Sequence, residues 1–64
     1  MAEKDQINRA MQRAFRFTCY AAAAGFSAGT GKATAILLGD DGRFWVVTLA
    51  DMDRLLEAGY ELAG

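Results

Sequence analysis

The 64-residue chain contains no histidine and no proline, a single cysteine (Cys19) and a single serine (Ser27). Without histidine, neither serine nor cysteine has its usual activating base, and a zinc site would have to be assembled from carboxylates alone. One cysteine closes no intramolecular disulfide. The longest apolar run, Phe17 to Ala24, falls far short of the ~20 residues that a membrane span requires. The paired carboxylates, Asp40 with Asp41 and Asp51 with Asp53, sit at a turn and a helix start, where solvent keeps them ionised. These shortages predict no catalytic residues, no cofactor and no metal.

What is abundant is apolar side chain, 53% of the residues. A domain this small has a marginal surface-to-volume ratio, and with disulfides and metals excluded the remaining stabilising route is self-association. A homodimer is therefore expected. Four bases before the Phe17 to Ala24 run suggest a secretory leader, but cleavage there would leave too short a remainder to fold unaided, and Glu3 and Asp5 sit badly in a cationic leader. The expected location is the cytoplasm, which suits an unpaired thiol.

The formal charge is -1, with no global pull toward nucleic acid or membrane. Its layout is bipolar. Residues 1 to 32 carry Lys4, Arg9, Arg13, Arg16 and Lys32 against Glu3 and Asp5; residues 33 to 64 carry Arg43 and Arg54 against Asp40, Asp41, Asp51, Asp53, Glu57 and Glu61.

Ile7, Ala10, Met11, Ala14, Phe15 and Thr18 recur at three and four residues, the stripe of an amphipathic helix, and the alanines at 21 to 24 favour its continuation. The expectation is one helix from about Lys4 to about Ala24; the alternative is a shorter helix followed by a strand at Phe15 to Ala21. On the single helix, Arg9, Arg13 and Arg16 share one ridge. "GFSAGTGK", with three glycines in seven residues, reads as a flexible hinge between the basic and acidic halves. Ala33 to Leu38 and Arg43 to Thr48 flank "GDDG", a strong hairpin signal, and both faces of that hairpin are apolar and need covering. "TLAD" places the Thr48 hydroxyl three residues before Asp51 as a helix cap, with Met52, Leu55 and Leu56 buried, Asp51, Asp53 and Glu57 outward, and the helix ending at Gly59. "YELAG" then offers a short edge strand or a frayed end. The fold class is α+β, one small domain over residues 1 to 64: N-terminal helix, two-stranded antiparallel hairpin with room for a third strand, second helix.

"GFSAGTGKAT" superficially resembles a phosphate-binding loop. Five residues rather than four separate Gly25 from Gly31-Lys32, Ala33 stands where a magnesium-binding hydroxyl belongs, and the helix-loop-strand context is reversed. Nucleotide binding is excluded on those grounds. Cys19 reads as a small buried apolar residue.

"GDDGRFWVVT" followed by "ADMDRLLEAGYEL" resembles the end of short accessory proteins carried by proteobacterial phages, plasmids and other mobile elements, over about the last 26 residues. Such proteins include small inhibitors of host defence, among them anti-CRISPR proteins that bind an effector. The resemblance carries over no catalytic residue. It implies an accessory role, and with the absence of catalytic groups it points to a non-enzymatic protein-interaction module that binds and inhibits a host macromolecular complex. The expected contact surface is acidic, Asp40, Asp41, Asp51, Asp53 and Glu57, facing a basic, nucleic-acid-binding partner. The competing reading is a nucleic-acid-binding module using Arg9, Arg13, Arg16, Lys32 and Arg43, with Phe44 and Trp45 stacking on bases.

Overall fold

The computed structural model describes residues 2–63, with side chains from Asp5 onward; Gly64, the end of the "YELAG" segment, lies outside them. Three helices and four strands follow in the order α1 (Ala2–Arg13), β1 (Phe15–Phe17), α2 (Tyr20–Gly29), β2 (Thr34–Leu38), β3 (Phe44–Thr48), α3 (Leu49–Glu57) and β4 (Glu61–Leu62). The α+β domain with helix, hairpin and helix is as expected, with a further strand and helix inserted. All neighbouring strands are antiparallel, in the order β1-β3-β2-β4.

The long helix does not form. α1 stops at Arg13, where Ala14 N–H closes a tight last turn on Met11 C=O at 3.3 Å, and "FRF" becomes an edge strand with Phe15 opposite Val46, Arg16 opposite Trp45 and Phe17 opposite Phe44. The shorter-helix-then-strand alternative holds, with a strand ending at Phe17 rather than Ala21. The reason is tertiary: β3 is apolar on both faces and needs a partner on its second edge, and alternating Phe-Arg-Phe supplies one. Helix resumes at Tyr20, with Cys19 as an extended N-cap whose side chain makes no capping bond. Cys19 is exposed, contrary to its expected burial, because a cap position lies outside the packed face.

Half of the supposed hinge is therefore helix. α2 runs through Gly25 and Gly29, and the break comes only at Gly31, whose φ of +70° is a left-handed conformation that other residues resist. The loop after it is tied down: Thr30 Oγ1 donates to Ser27 C=O at 3.0 Å and accepts from Lys32 N–H at 3.2 Å.

The hairpin forms as read. Gly39 N–H donates to Arg43 C=O at 2.8 Å and Gly42 turns the chain at φ +77°. Side-chain alternation sends Leu37, Trp45 and Val47 to one face, where they pack with Ala10 and Ala14 of α1 and Leu55 of α3. Trp45, Leu37 and Leu55 are essentially inaccessible. The opposite face presents Val46 and Phe44 to α2, with Tyr20 edge-on to Phe44 at 5.8 Å and Phe26 tilted against Phe15 at 4.7 Å and Phe17 at 5.3 Å. The sheet is thus a middle layer, with α1 and α3 on one side and the small helix α2 on the other. α3 begins as predicted, Thr48 Oγ1 accepting from Asp51 N–H at 3.3 Å, and ends at Glu57, two residues before Gly59. "YELAG" provides the edge strand β4, and Ala63 N–H donates to Ile36 C=O at 2.9 Å.

Candidate functional site

The end of α1 and the start of α3 meet at a charged junction. Asp51, the third residue of α3, is 2% exposed, whereas an outward position was expected for it. Arg13 grips it with both arms of the guanidinium, Nε to Oδ2 at 3.0 Å and Nη2 to Oδ1 at 2.7 Å, and Arg54 Nη1 lies 3.4 Å from Oδ1. The Arg13 hydrogen bonds hold the Asp51 carboxyl below its ordinary range, overcoming the opposing effect of burial, with attraction to Arg13 and Arg54 adding to them. Asp51 is a structural anion linking residues 38 positions apart, and no contact surface.

The rest of the acidic set is dispersed. Asp41 Oδ1 accepts from Arg43 N–H at 3.0 Å and from the Trp45 indole N–H at 3.1 Å, and its Oδ2 lies 3.7 Å from Arg16 Nε. Asp41 therefore braces the turn. Asp40 accepts from Tyr60 Oη at 3.4 Å, and Tyr60 is pushed up from its ordinary pKa by burial and then by the charge of Asp40. Asp53 and Glu57 are exposed on the outer face of α3, and Asp40 and Asp41 are exposed at the hairpin turn.

The basic ridge is broken as well. Arg9 is exposed on α1, Arg13 is occupied by Asp51, and Arg16 sits on β1, its guanidinium 4.7 Å over the Trp45 ring and its Nη2 donating to Met11 C=O at 2.8 Å. Arg43 and Lys32 are exposed in separate loops. Trp45, at 1% exposure, offers no face for a base to stack on, and Phe44 is partly covered by Tyr20.

Beside the Arg13–Asp51 junction lies a cleft of about 380 Å³ that none of the sequence motifs indicated. Phe15, Phe26, Val46 and Val47 form its apolar walls, Thr30, Thr34 and Thr48 contribute hydroxyl-bearing side chains, and Arg13, Lys32 and Asp51 supply the charge. The three threonines are engaged: Thr30 with its own loop, Thr34 Oγ1 with Ser27 Oγ, and Thr48 with the α3 N-terminus. Both Asp51 oxygens are taken by Arg13. The surplus charge at the cleft is positive. The sequence carried one usable signal for it, Phe26, the only large side chain between Ala21 and Lys32. A second, more open groove runs between Leu38–Asp40 and Ala58–Glu61 and is edged by the acids Asp40 and Glu61.

Among the described residues no group of three or more cysteine or acidic side chains is placed to hold a metal ion, and no helix is long and apolar enough to cross a membrane. No protein family, no curated protein and no solved structure matches this chain.

Proposed function

We propose that the protein is a non-enzymatic protein-interaction module. The observation that carries this reading is the surface on the α2 side of the sheet. The solvent-facing arc of α2 is Ala21, Ala22, Gly25, Ala28 and Gly29, without one polar side chain, and beside it Phe15, Tyr20 and Leu38 are 57%, 42% and 44% exposed. An uncharged helix on the outside of a small domain is the pattern of an element that is covered in use. Further support comes from the nucleophiles. Ser27 spends its hydroxyl on Thr34, and Cys19 lies in solvent in a chain with no histidine. The lone exposed thiol also suits a reducing compartment such as the cytoplasm.

The flat Ala/Gly arc fits a second copy of the chain: a two-fold axis sets like against like, which costs nothing electrostatically where the face is uncharged. The sharper form of the proposal is the accessory role implied by the "GDDGRFWVVT" resemblance, inhibition of a host complex of the kind blocked by anti-CRISPR proteins. If that target is a basic protein, Asp53, Glu57 and Asp40 are the acids left free to meet it. The nucleic-acid reading is weakened, because Trp45 is buried with Arg16 stacked on it, and Arg9, Lys32 and Arg43 stand on separate elements.

The test is affinity purification from the native cell with and without nuclease, using the wild type and Ala28→Glu. A protein partner retained after nuclease supports the module; loss of every partner on nuclease treatment refutes it. For the homodimer, light scattering at high micromolar concentration decides: a mass of 6.9 kDa refutes self-association, and a doubled mass that Ala28→Glu halves supports it through α2.

A further inference from the structure

We infer that the cleft beside β1 docks the C-terminal end of a partner protein, its last apolar side chain lying against Phe15 and Phe26 and its free carboxylate meeting Lys32 and the outer edge of Arg13. The inference deepens the interaction reading and rests on it.

Three observations converge. The cleft, at about 380 Å³, lies within the size range of pockets that hold a ligand group, and its walls are apolar, with the Phe15 and Phe26 rings 4.7 Å apart. Its charge is unbalanced in one direction. Arg13 neutralises Asp51 through Nε and Nη2 while its side chain stays 53% exposed, and Lys32 pairs with no acid among the described residues. Finally, β1 is the outermost strand, so the edge that leads away from Phe15 carries no neighbouring strand.

These features select among anions. A phosphate is best met by several convergent cations or backbone donors, and the cleft offers two cations, one of which already pairs with Asp51. One carboxylate on an apolar body needs little more than a cation and a greasy wall. A peptide terminus adds what a free carboxylic acid lacks, a backbone that can extend along the open edge of β1 and gain main-chain hydrogen bonds there. Phe26, Thr30 and Lys32, all from the stretch that mimics a phosphate loop, thus contribute to a site for a different anion.

The experiment is an amide-resolved NMR titration of the full chain with acetylated hexapeptides ending in Leu, Val or Phe, each as free acid and as C-terminal amide. Hexanoate and a thymidine 12-mer serve as the other probes. The expected result is that at least one free acid shifts the amides of Phe15, Phe26 and Lys32 with a Kd below about 2 mM, and that its amide form binds about tenfold more weakly. Lys32→Met, a change in an exposed loop, should weaken the free acid about fivefold and leave the amide form unaltered. Absence of binding by all three acids, equal binding of acid and amide, or no effect of Lys32→Met overturns the inference. So does hexanoate binding as tightly as the peptides, or the oligonucleotide occupying the same residues in their place. If Lys32→Met captures the native partner as well as the wild type does, the cleft assignment fails while the interaction module stands.

Discussion

Replacing Asp51 with Asn tests whether the α1–α3 junction holds the fold together. The substitution keeps volume and one carbonyl acceptor but removes the charge that organises Arg13 and Arg54. A charge-assisted hydrogen bond contributes about 1.5–3 kcal/mol, and two are weakened here; the half-exposed guanidinium recovers part of that from water. Loss of a negative charge from the first turn of α3 adds about 0.5 kcal/mol. The net expectation is a destabilisation of about 2 kcal/mol, or a fall in Tm of roughly 10 °C for a domain of this length. Urea unfolding at pH 7, followed by emission of the single, buried Trp45, measures it. The pH dependence gives a second constraint. Because the folded carboxyl titrates below its ordinary 3.8, the unfolded chain takes up the proton first as pH falls. The contribution is therefore whole above the unfolded value and lost as pH drops through the lower folded one, so wild type and Asp51→Asn should converge in acid. A difference under about 0.5 kcal/mol at pH 7, or one that persists unchanged into acid, would refute the argument. In a double-mutant cycle, Arg13→Met and Asp51→Asn should be non-additive; simple additivity would count equally against the argument.

Gly39 sits where a Cβ would overlap the Trp45 indole and fall 2.8 Å from Asp41 Oδ1, and that indole is held by its bond to Asp41, so Gly39→Ala should cost about 1–3 kcal/mol in urea unfolding. Cys19 caps α2 without a side-chain bond, so Cys19→Asp should stabilise by about 0.5–1 kcal/mol, and the wild-type thiol should react with a disulfide reagent in the folded protein as fast as in urea. Tyr60 has a raised pKa, so its contribution is present below its ordinary 10.0 and fades as pH climbs through the folded value; Tyr60→Phe should flatten the alkaline limb of a stability-against-pH curve. Indistinguishable limbs would remove Tyr60 from that account.

Features that depend on near neighbours were legible in the sequence: the "GDDG" hairpin, the Thr48 cap on Asp51 N–H, the Ile7–Ala10–Met11–Ala14 stripe, and the demand that both faces of β3 be covered. The helix-loop-strand order around "GFSAGTGKAT" was legible as well. Local preference went wrong where an element's state was set by a distant partner. Alanines and an apolar stripe favoured one long helix, but β3 had an unfilled edge and "FRF" could fill it, so strand pairing 29 or so residues away outweighed propensity. Gly25 and Gly29 lie within α2 although a Cβ at either would meet nothing within 4 Å, so packing does not require glycine at those positions. The charge sets were the least legible part, since composition counts charges but not pairings. Arg13 and Asp51, placed in opposing functional surfaces by their positions in the chain, neutralise each other because folding brings the end of one helix against the start of another. The sequence by itself determined which segments could be helix or hairpin and which side chains were available for chemistry. Only the tertiary structure decided which charges stayed free and where a cleft opened, because pairing and burial are properties of residues far apart in sequence and adjacent in space.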